Sequence, residues 1–96
     1  MTDRSHRKVQ LDAEGDLVWA GHDMGPQVAS VFGGSEYEFW RTIRAAHLPA
    51  LTQALGGQPG ADVAQLVRQR FESDVVLNQF AEAHGIPTEF SSYSSG

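Results

Sequence analysis

The segment 35–43, SEYEFWRTI, constrains the fold more than any other because its residue types alternate with a period of two. Aromatic and β-branched residues that alternate with polar ones are typical of a strand with one buried face. We expect Tyr37, Phe39 and Ile43 to meet the core. The opposite face of this strand, which solvent would reach, carries Glu36, Glu38, Trp40 and Thr42.

Three shorter segments predict the rest of a sheet. Residues 9–11 and 17–19 alternate on either side of the turn-rich sequence DAEGD at 12–16, a pattern that predicts a β-hairpin. Residues 88–93, TEFSSY, alternate weakly and predict a final edge strand, which could pair beside 36–43. We therefore expect three or four short strands.

Apolar spacing and terminal signals predict four helices. A short helix over 26–32 begins at a proline, and a second starts near 46–48 and carries a leucine stripe. Asp62 and Ser73 are candidate N-caps of the other two, because their side chains can accept hydrogen bonds from first-turn amides. The last helix runs over about 74–84, before Gly85 and a proline that blocks continuation. Its expected buried residues are Val76, Leu77, Phe80 and Ala81.

The resulting order is β-β-α-β-α-α-α-β, with no internal repeat. Its simplest packing is an α+β fold in which helices cover one face of a small antiparallel sheet of three to four strands. We expect a single compact domain over 9–93, a disordered basic tail over 1–8 and a frayed C-terminus at 94–96. Chain ends that lack apolar periodicity seldom become ordered.

The net charge disfavours one large class of partner. The 96 residues include 7 Lys and Arg against 12 Asp and Glu, a net charge of −5. The first eight residues carry +2, which leaves −7 on residues 9–96. A body of that sign repels phosphate backbones, so we expect no nucleic acid among the partners. A protein partner, with a basic surface, fits better.

Cysteine content and hydropathy indicate the expected cellular compartment of the protein. It has no cysteine, which excludes disulfides and thiol nucleophiles. No apolar run approaches the ~20 residues of a spanning helix. We therefore expect a soluble, cytoplasmic protein without a membrane partner.

Two groups of residues are candidates for a functional site. Glu36, Glu38 and Trp40 share one strand face, and an aromatic residue flanked by carboxylates suits contact with a protein or peptide. The alternative is a plain solvated strand face. His22 and Asp23 stand in a glycine-flanked loop, where they could serve acid–base chemistry or ligate a metal. The alternative there is a turn in which Asp23 caps the next helix.

Sequence motifs for catalysis and cofactors are missing. The four histidines are scattered, with no HxxxH or HxH pair, and no P-loop, GxGxxG or GxSxG sequence occurs. We therefore predict no catalytic residue, no cofactor and no metal ligand.

A longer pattern resembles one found in small bacterial proteins. It comprises Gly21-His-Asp-Met-Gly25-Pro26, Phe32-Gly33, Glu36-Tyr-Glu-Phe-Trp40 and His84-Gly-Ile-Pro-Thr-Glu-Phe90, and it spans about residues 9–93. The arginine and alanine bias is typical of a GC-rich, for instance actinobacterial, genome. No activity is attached to that family, so the resemblance implies a compact stand-alone domain without a catalytic residue.

These observations favour a non-catalytic protein–protein interaction module, such as an immunity-type inhibitor or a regulatory adaptor. One alternative is a small ligand- or metal-binding domain, or a minor enzyme, that uses His22 and Asp23 with Glu36 or Glu38. Another is an acidic mimic of nucleic acid. We expect a monomer or a weak homodimer, whose seam would be an edge strand or the leucine stripe.

Overall fold

The computed structural model describes residues 4–24 and 36–95, with side chains over 7–22 and 37–93. A sheet and three α-helices build this part of the chain, which confirms the expected α+β class. The helix predicted over 26–32 lies outside the described residues. In chain order the elements are β1 Arg4–Leu11, β2 Leu17–Met24, β3 Glu36–Ile43, a 3-10 turn Ala45–His47, α1 Leu48–Ala54, α2 Val63–Arg70, α3 Asp74–Ala83 and β4 Glu89–Ser95.

The four described strands form one antiparallel sheet in the order β1-β2-β3-β4. The predicted hairpin is β1 and β2, and the predicted final strand does pair beside β3. β4 continues to Ser95. Ser94 and Ser95, which were expected to belong to a frayed C-terminus, are therefore part of a strand.

The tail predicted to be disordered over 1–8 is instead part of β1 from Arg4 onward. The side chain of Arg7 explains much of this order. Its Nη1 donates to the carbonyls of Phe71 and Glu72 at 3.2 and 3.0 Å, and its guanidinium lies 5.2 Å from the centroid of the Trp19 ring. These contacts join β1 to the end of α2 and so fix a segment that has no apolar periodicity of its own.

The core lies between the sheet and the helices. Trp19, Leu17 and Ile43 are the fully buried residues that the sheet contributes, and each lies at a position facing the helices. The leucine stripe of α1 is core, since Leu48 and Leu51 are both buried. The other buried apolar residues are Val9, Val63, Ala64, Val67, Phe71, Leu77, Ala81 and Ile86.

The helix ends confirm the capping predictions. The side chain of Asp62 accepts from the Gln65 amide at 3.2 Å, and that of Ser73 accepts from the Val76 amide at 3.3 Å. After α3, Gly85 takes a φ of +71°, which glycine adopts without strain. Val76 is 45% exposed, so the prediction that it is buried is wrong.

A nearly buried ion pair fixes α3 against the sheet. Arg41 of β3 donates through Nε to Asp74 at 2.9 Å, and through Nη1 to Thr88 at 3.2 Å. Thr88 in turn donates to Asn78 of α3. These hydrogen bonds place α3 against the helix-facing side of β3. None of the helices in the described ranges has the length and apolar character needed to cross a membrane.

Candidate interaction face

One face of the sheet carries no described helix, and we name it the open face. Adjacent residues of a strand point to opposite sides of a sheet, so the partners of the core positions define it. Three of the four rows of directly paired residues that cross it contain described side chains. They are Gln10-Val18-Thr42-Glu89, Lys8-Ala20-Trp40-Ser91 and His6-His22-Glu38-Tyr93.

Trp40 lies in the middle row and is only half-buried. Its direct partner on β2 is Ala20, whose single methyl group leaves the sheet surface low between larger neighbours. The result is a shallow depression of about 390 Å³, lined among others by Lys8, Ala20, His22, Glu38 and Trp40. An aromatic wall beside groups of both charges can accommodate an apolar side chain that carries a polar tip.

The register brings His22 and Glu38 together across β2 and β3. Directly opposed residues of an antiparallel pair have Cβ atoms about 4.5–5.5 Å apart, so these two groups line the same side of the depression. The prediction that His22 and Asp23 stand in a loop is wrong, because β2 extends through both to Met24. The glycine that suggested the loop, Gly21, is a buried residue within the strand.

The remaining predicted site residues take different places. Asp23 lies in the neighbouring row, opposite Tyr37, and thus does not share a row with His22. Glu36 begins β3, at the register position opposite Met24 and Ser95. Of the predicted triad, Glu38 and Trp40 therefore form the part that lines the depression.

The face opposite the open face packs against the helices, and we name it the covered face. Packing on the covered face is what requires a glycine at position 21. A Cβ added there would overlap the ring of Phe39, which is its direct partner on β3. The close approach of this ring is the physical reason for a glycine in the middle of β2. It also explains why a residue type that normally interrupts strands is misleading here.

Charge on the open face is mixed, with an acidic excess. Among the residues with described side chains in the three rows, two are carboxylates, Glu38 and Glu89, and one is a cation, Lys8. Glu89 lies 3.8 Å from Arg44, and both side chains are mostly exposed, so this pair stabilises the fold little. Glu38 is therefore the carboxylate on this face best placed to meet a partner.

An acidic cluster at the hairpin turn has a structural explanation. Carboxylate oxygens of Asp12, Glu14 and Asp16 lie within 4.8 Å of one another. Asp12 Oδ1 accepts from the amides of Glu14 and Asp16 at 2.9 and 3.0 Å, which closes the turn. Asp16, which is buried, accepts from the Ala45 amide at 2.7 Å and from Arg44 at 3.3 Å. These hydrogen bonds connect the turn to the start of the helical layer.

Sequence reasoning missed Lys8, Ala20 and Tyr93 as members of the face. Lys8 belongs to the segment expected to be disordered, and Ala20 has no chemistry that would single it out. Their roles follow from cross-strand register, which pairs residues from distant parts of the chain. The available signals were the alternation of 17–19, which places Ala20 on the same face as Val18, and the weak alternation of 88–93, which contains Tyr93.

Within the described residues, these features define a small α+β architecture with helices on one face of the sheet and no helix on the other. A comparison of the chain with models of protein families found no match, and neither did searches among curated proteins and among solved structures.

Proposed function

We propose that this chain is a non-catalytic protein–protein interaction module that binds through its open face. Trp40 carries the proposal, because it is a large aromatic side chain on a face that no described helix covers. Half-buried aromatic residues beside a depression are the usual anchors of protein interfaces. The fold class and the mixed, acidic face suit an immunity-type inhibitor or a regulatory adaptor.

The chemistry of the face indicates the partner's contact surface. The depression over Ala20 favours an apolar or aromatic side chain that stacks against Trp40. Glu38 at its rim, together with the net charge of −5, favours a basic group next to that side chain. Such attraction between complementary charges mainly accelerates association and is weakened by salt.

The test is comparative capture from a lysate of the source organism. Wild type, Trp40→Ala and Glu38→Arg are immobilised in parallel, with Glu82→Arg as the matched charge control on the exposed side of α3. We expect one protein that wild type and Glu82→Arg retain and that both open-face variants lose. Its retention should fall at high salt. A partner that all four chains retain equally would place the interface elsewhere.

A second candidate function is binding of a divalent metal or a small ligand at His22 and Glu38. The specific observation in its favour is their direct pairing across β2 and β3, since imidazole and carboxylate are both ligands of Zn²⁺. His6 occupies the next register position in the same row, although Asp23 does not belong to it.

Thermal melting with Zn²⁺, Ni²⁺ or Mn²⁺, each with and without chelator, tests this candidate. A ligand that binds only the native state raises the melting temperature. We expect such a rise for wild type and for the control His84→Ala, whose histidine lies at the end of α3, and no rise for His22→Ala. An equal rise in all three chains would exclude His22 as a ligand.

A further inference from the structure

The two edges of the sheet differ in their protection. At the β1 edge, Arg68 of α2 donates through Nη1 to the carbonyl of Val9 at 2.6 Å. This hydrogen bond occupies one backbone carbonyl of the edge strand, and Arg7 holds the same strand against the end of α2. An incoming strand that pairs at Val9 would have to displace Arg68 from this carbonyl.

β4 at the other edge has no comparable protection. Residues 89–93 are all exposed, and no arginine with a described side chain donates to a β4 carbonyl. The strand EFSSYSS contains no proline, lysine, arginine or glycine, and its pairing with β3 has no bulge. Edge strands normally carry one of these features because an unprotected edge pairs with other strands.

We propose that β4 pairs with β4 of a second copy of this chain, antiparallel about a two-fold axis at Ser92. This register uses all seven residues of the strand, because Ser92 is its midpoint. Ser92 then opposes Ser92 of the second copy, and Tyr93 opposes Ser91. The two tyrosines, each 58% exposed in the single chain, become diagonal neighbours within reach of one another.

Charge favours a second copy over a strand from another protein. The single charged residue of β4 is Glu89, and it already has Arg44 as a neighbour at 3.8 Å. In the proposed register the two Glu89 residues are six positions apart, or about 20 Å. That distance exceeds the Debye length of about 8 Å at physiological salt. β4 is thus a near-neutral edge strand, and β4 of a second copy is a near-neutral partner for it.

The burial of α1 removes the other seam that the sequence offers. Leu51 is fully buried, Leu48 is 9% exposed and Leu55 is partly buried against the same core, so the leucine stripe leaves little surface for a partner. The edge pairing is independent of the proposed open-face function. It would join the open faces of two chains in one continuous eight-stranded sheet.

A charge-swap experiment tests the pairing. Ser92→Glu and Ser92→Lys place like charges directly opposite each other at the two-fold axis, whereas a 1:1 mixture places opposite charges there. By analytical ultracentrifugation we expect wild type and Ser92→Ala to dimerise reversibly. Each charged variant alone should bind itself about tenfold more weakly, and the mixture should recover the loss. Gln10→Glu and Gln10→Lys on β1 make the same charge changes at the protected edge and should change nothing.

Three results would overturn the proposal. Wild type could sediment as a monomer up to about 1 mM. The two charged variants could self-associate as wild type does, which would place the contact on another surface. The mixture could fail to recover, which would show that the two residues at position 92 do not oppose each other. If β4 instead accepts a strand from another protein, the first of these results, a monomeric wild type, is expected. Circular dichroism of each variant confirms that the sheet is folded in every sample.

Discussion

The two tryptophans of this protein stand on neighbouring strands and on opposite faces of one sheet. Trp19 of β2 is 2% exposed and packs among the core residues under the helices. Trp40 of β3 lies in the adjacent row, on the open face, and is half-buried. A shift of one residue along a strand thus separates a core residue from a candidate binding residue. The same residue type thus forms part of the core on one face and part of a candidate binding surface on the other.

The comparison predicts the largest loss of stability for Trp19→Ala. Removing a fully buried indole loses its apolar contacts and leaves a cavity, so the free energy of unfolding should fall by about 3–5 kcal/mol. Urea denaturation followed by circular dichroism measures it. Trp19→Phe, which keeps most of the apolar volume, is the control and should lose less. A loss no larger than that of Trp40→Ala would contradict the assignment of the two faces.

The covered face also depends on its ion pair, and Asp74→Ala tests this second contribution. The variant leaves the Arg41 guanidinium, whose side chain is 13% exposed, without its carboxylate. Removing one partner of a nearly buried pair should lower the free energy of unfolding by about 2–4 kcal/mol, which urea denaturation measures. Glu72→Ala, which removes a carboxylate at an exposed position two residues earlier, is the matched control. Equal losses in the two variants would show that the pair contributes nothing specific.

Gly21→Ala tests how closely the covered face is packed around β2. The added methyl group would overlap the Phe39 ring, and relieving such overpacking lowers stability by about 1–3 kcal/mol. Phe39→Leu removes the ring. In that background, Gly21→Ala should therefore lower the melting temperature less than it does in the wild type. Melting temperatures of the wild type, the two single variants and the double variant measure the coupling. Purely additive effects would mean that the glycine is needed for another reason.

The alternation of 35–43 was sufficient to predict β3 and its two faces, because the side-chain period of a strand is a local property. The caps at Asp62 and Ser73 were predictable for the same reason, since each requires only a side chain and an amide three residues later. The exposure of Val76 was not predictable in this way. Helical spacing defines a stripe, but the packing of α3 decides which edge of that stripe faces the core.

The candidate site was predictable only in part. Glu38 and Trp40 followed from the strand pattern, whereas the pairing of His22 with Glu38 depends on register between strands. Arg7 becomes ordered through carbonyls 64 and 65 residues away in sequence, so no local pattern could have revealed it. Contacts of this kind turn an apparently disordered tail into a strand, and that strand supplies Lys8 to the open face.

Trp40→Ala should have the smallest effect on stability, about 1 kcal/mol, because the ring is only half-buried and its removal exposes less apolar surface than that of a core residue. Its effect on binding should be far larger, since aromatic anchors at the centre of an interface contribute about 2 kcal/mol or more when truncated. Urea denaturation and binding of the captured partner, measured on the same preparation, separate the two quantities. Val76→Ala, at an exposed apolar position on α3, is the control and should change neither. If Trp40→Ala instead destabilises the fold as strongly as Trp19→Ala while binding is retained, then Trp40 is a second core residue, and recognition must use another surface.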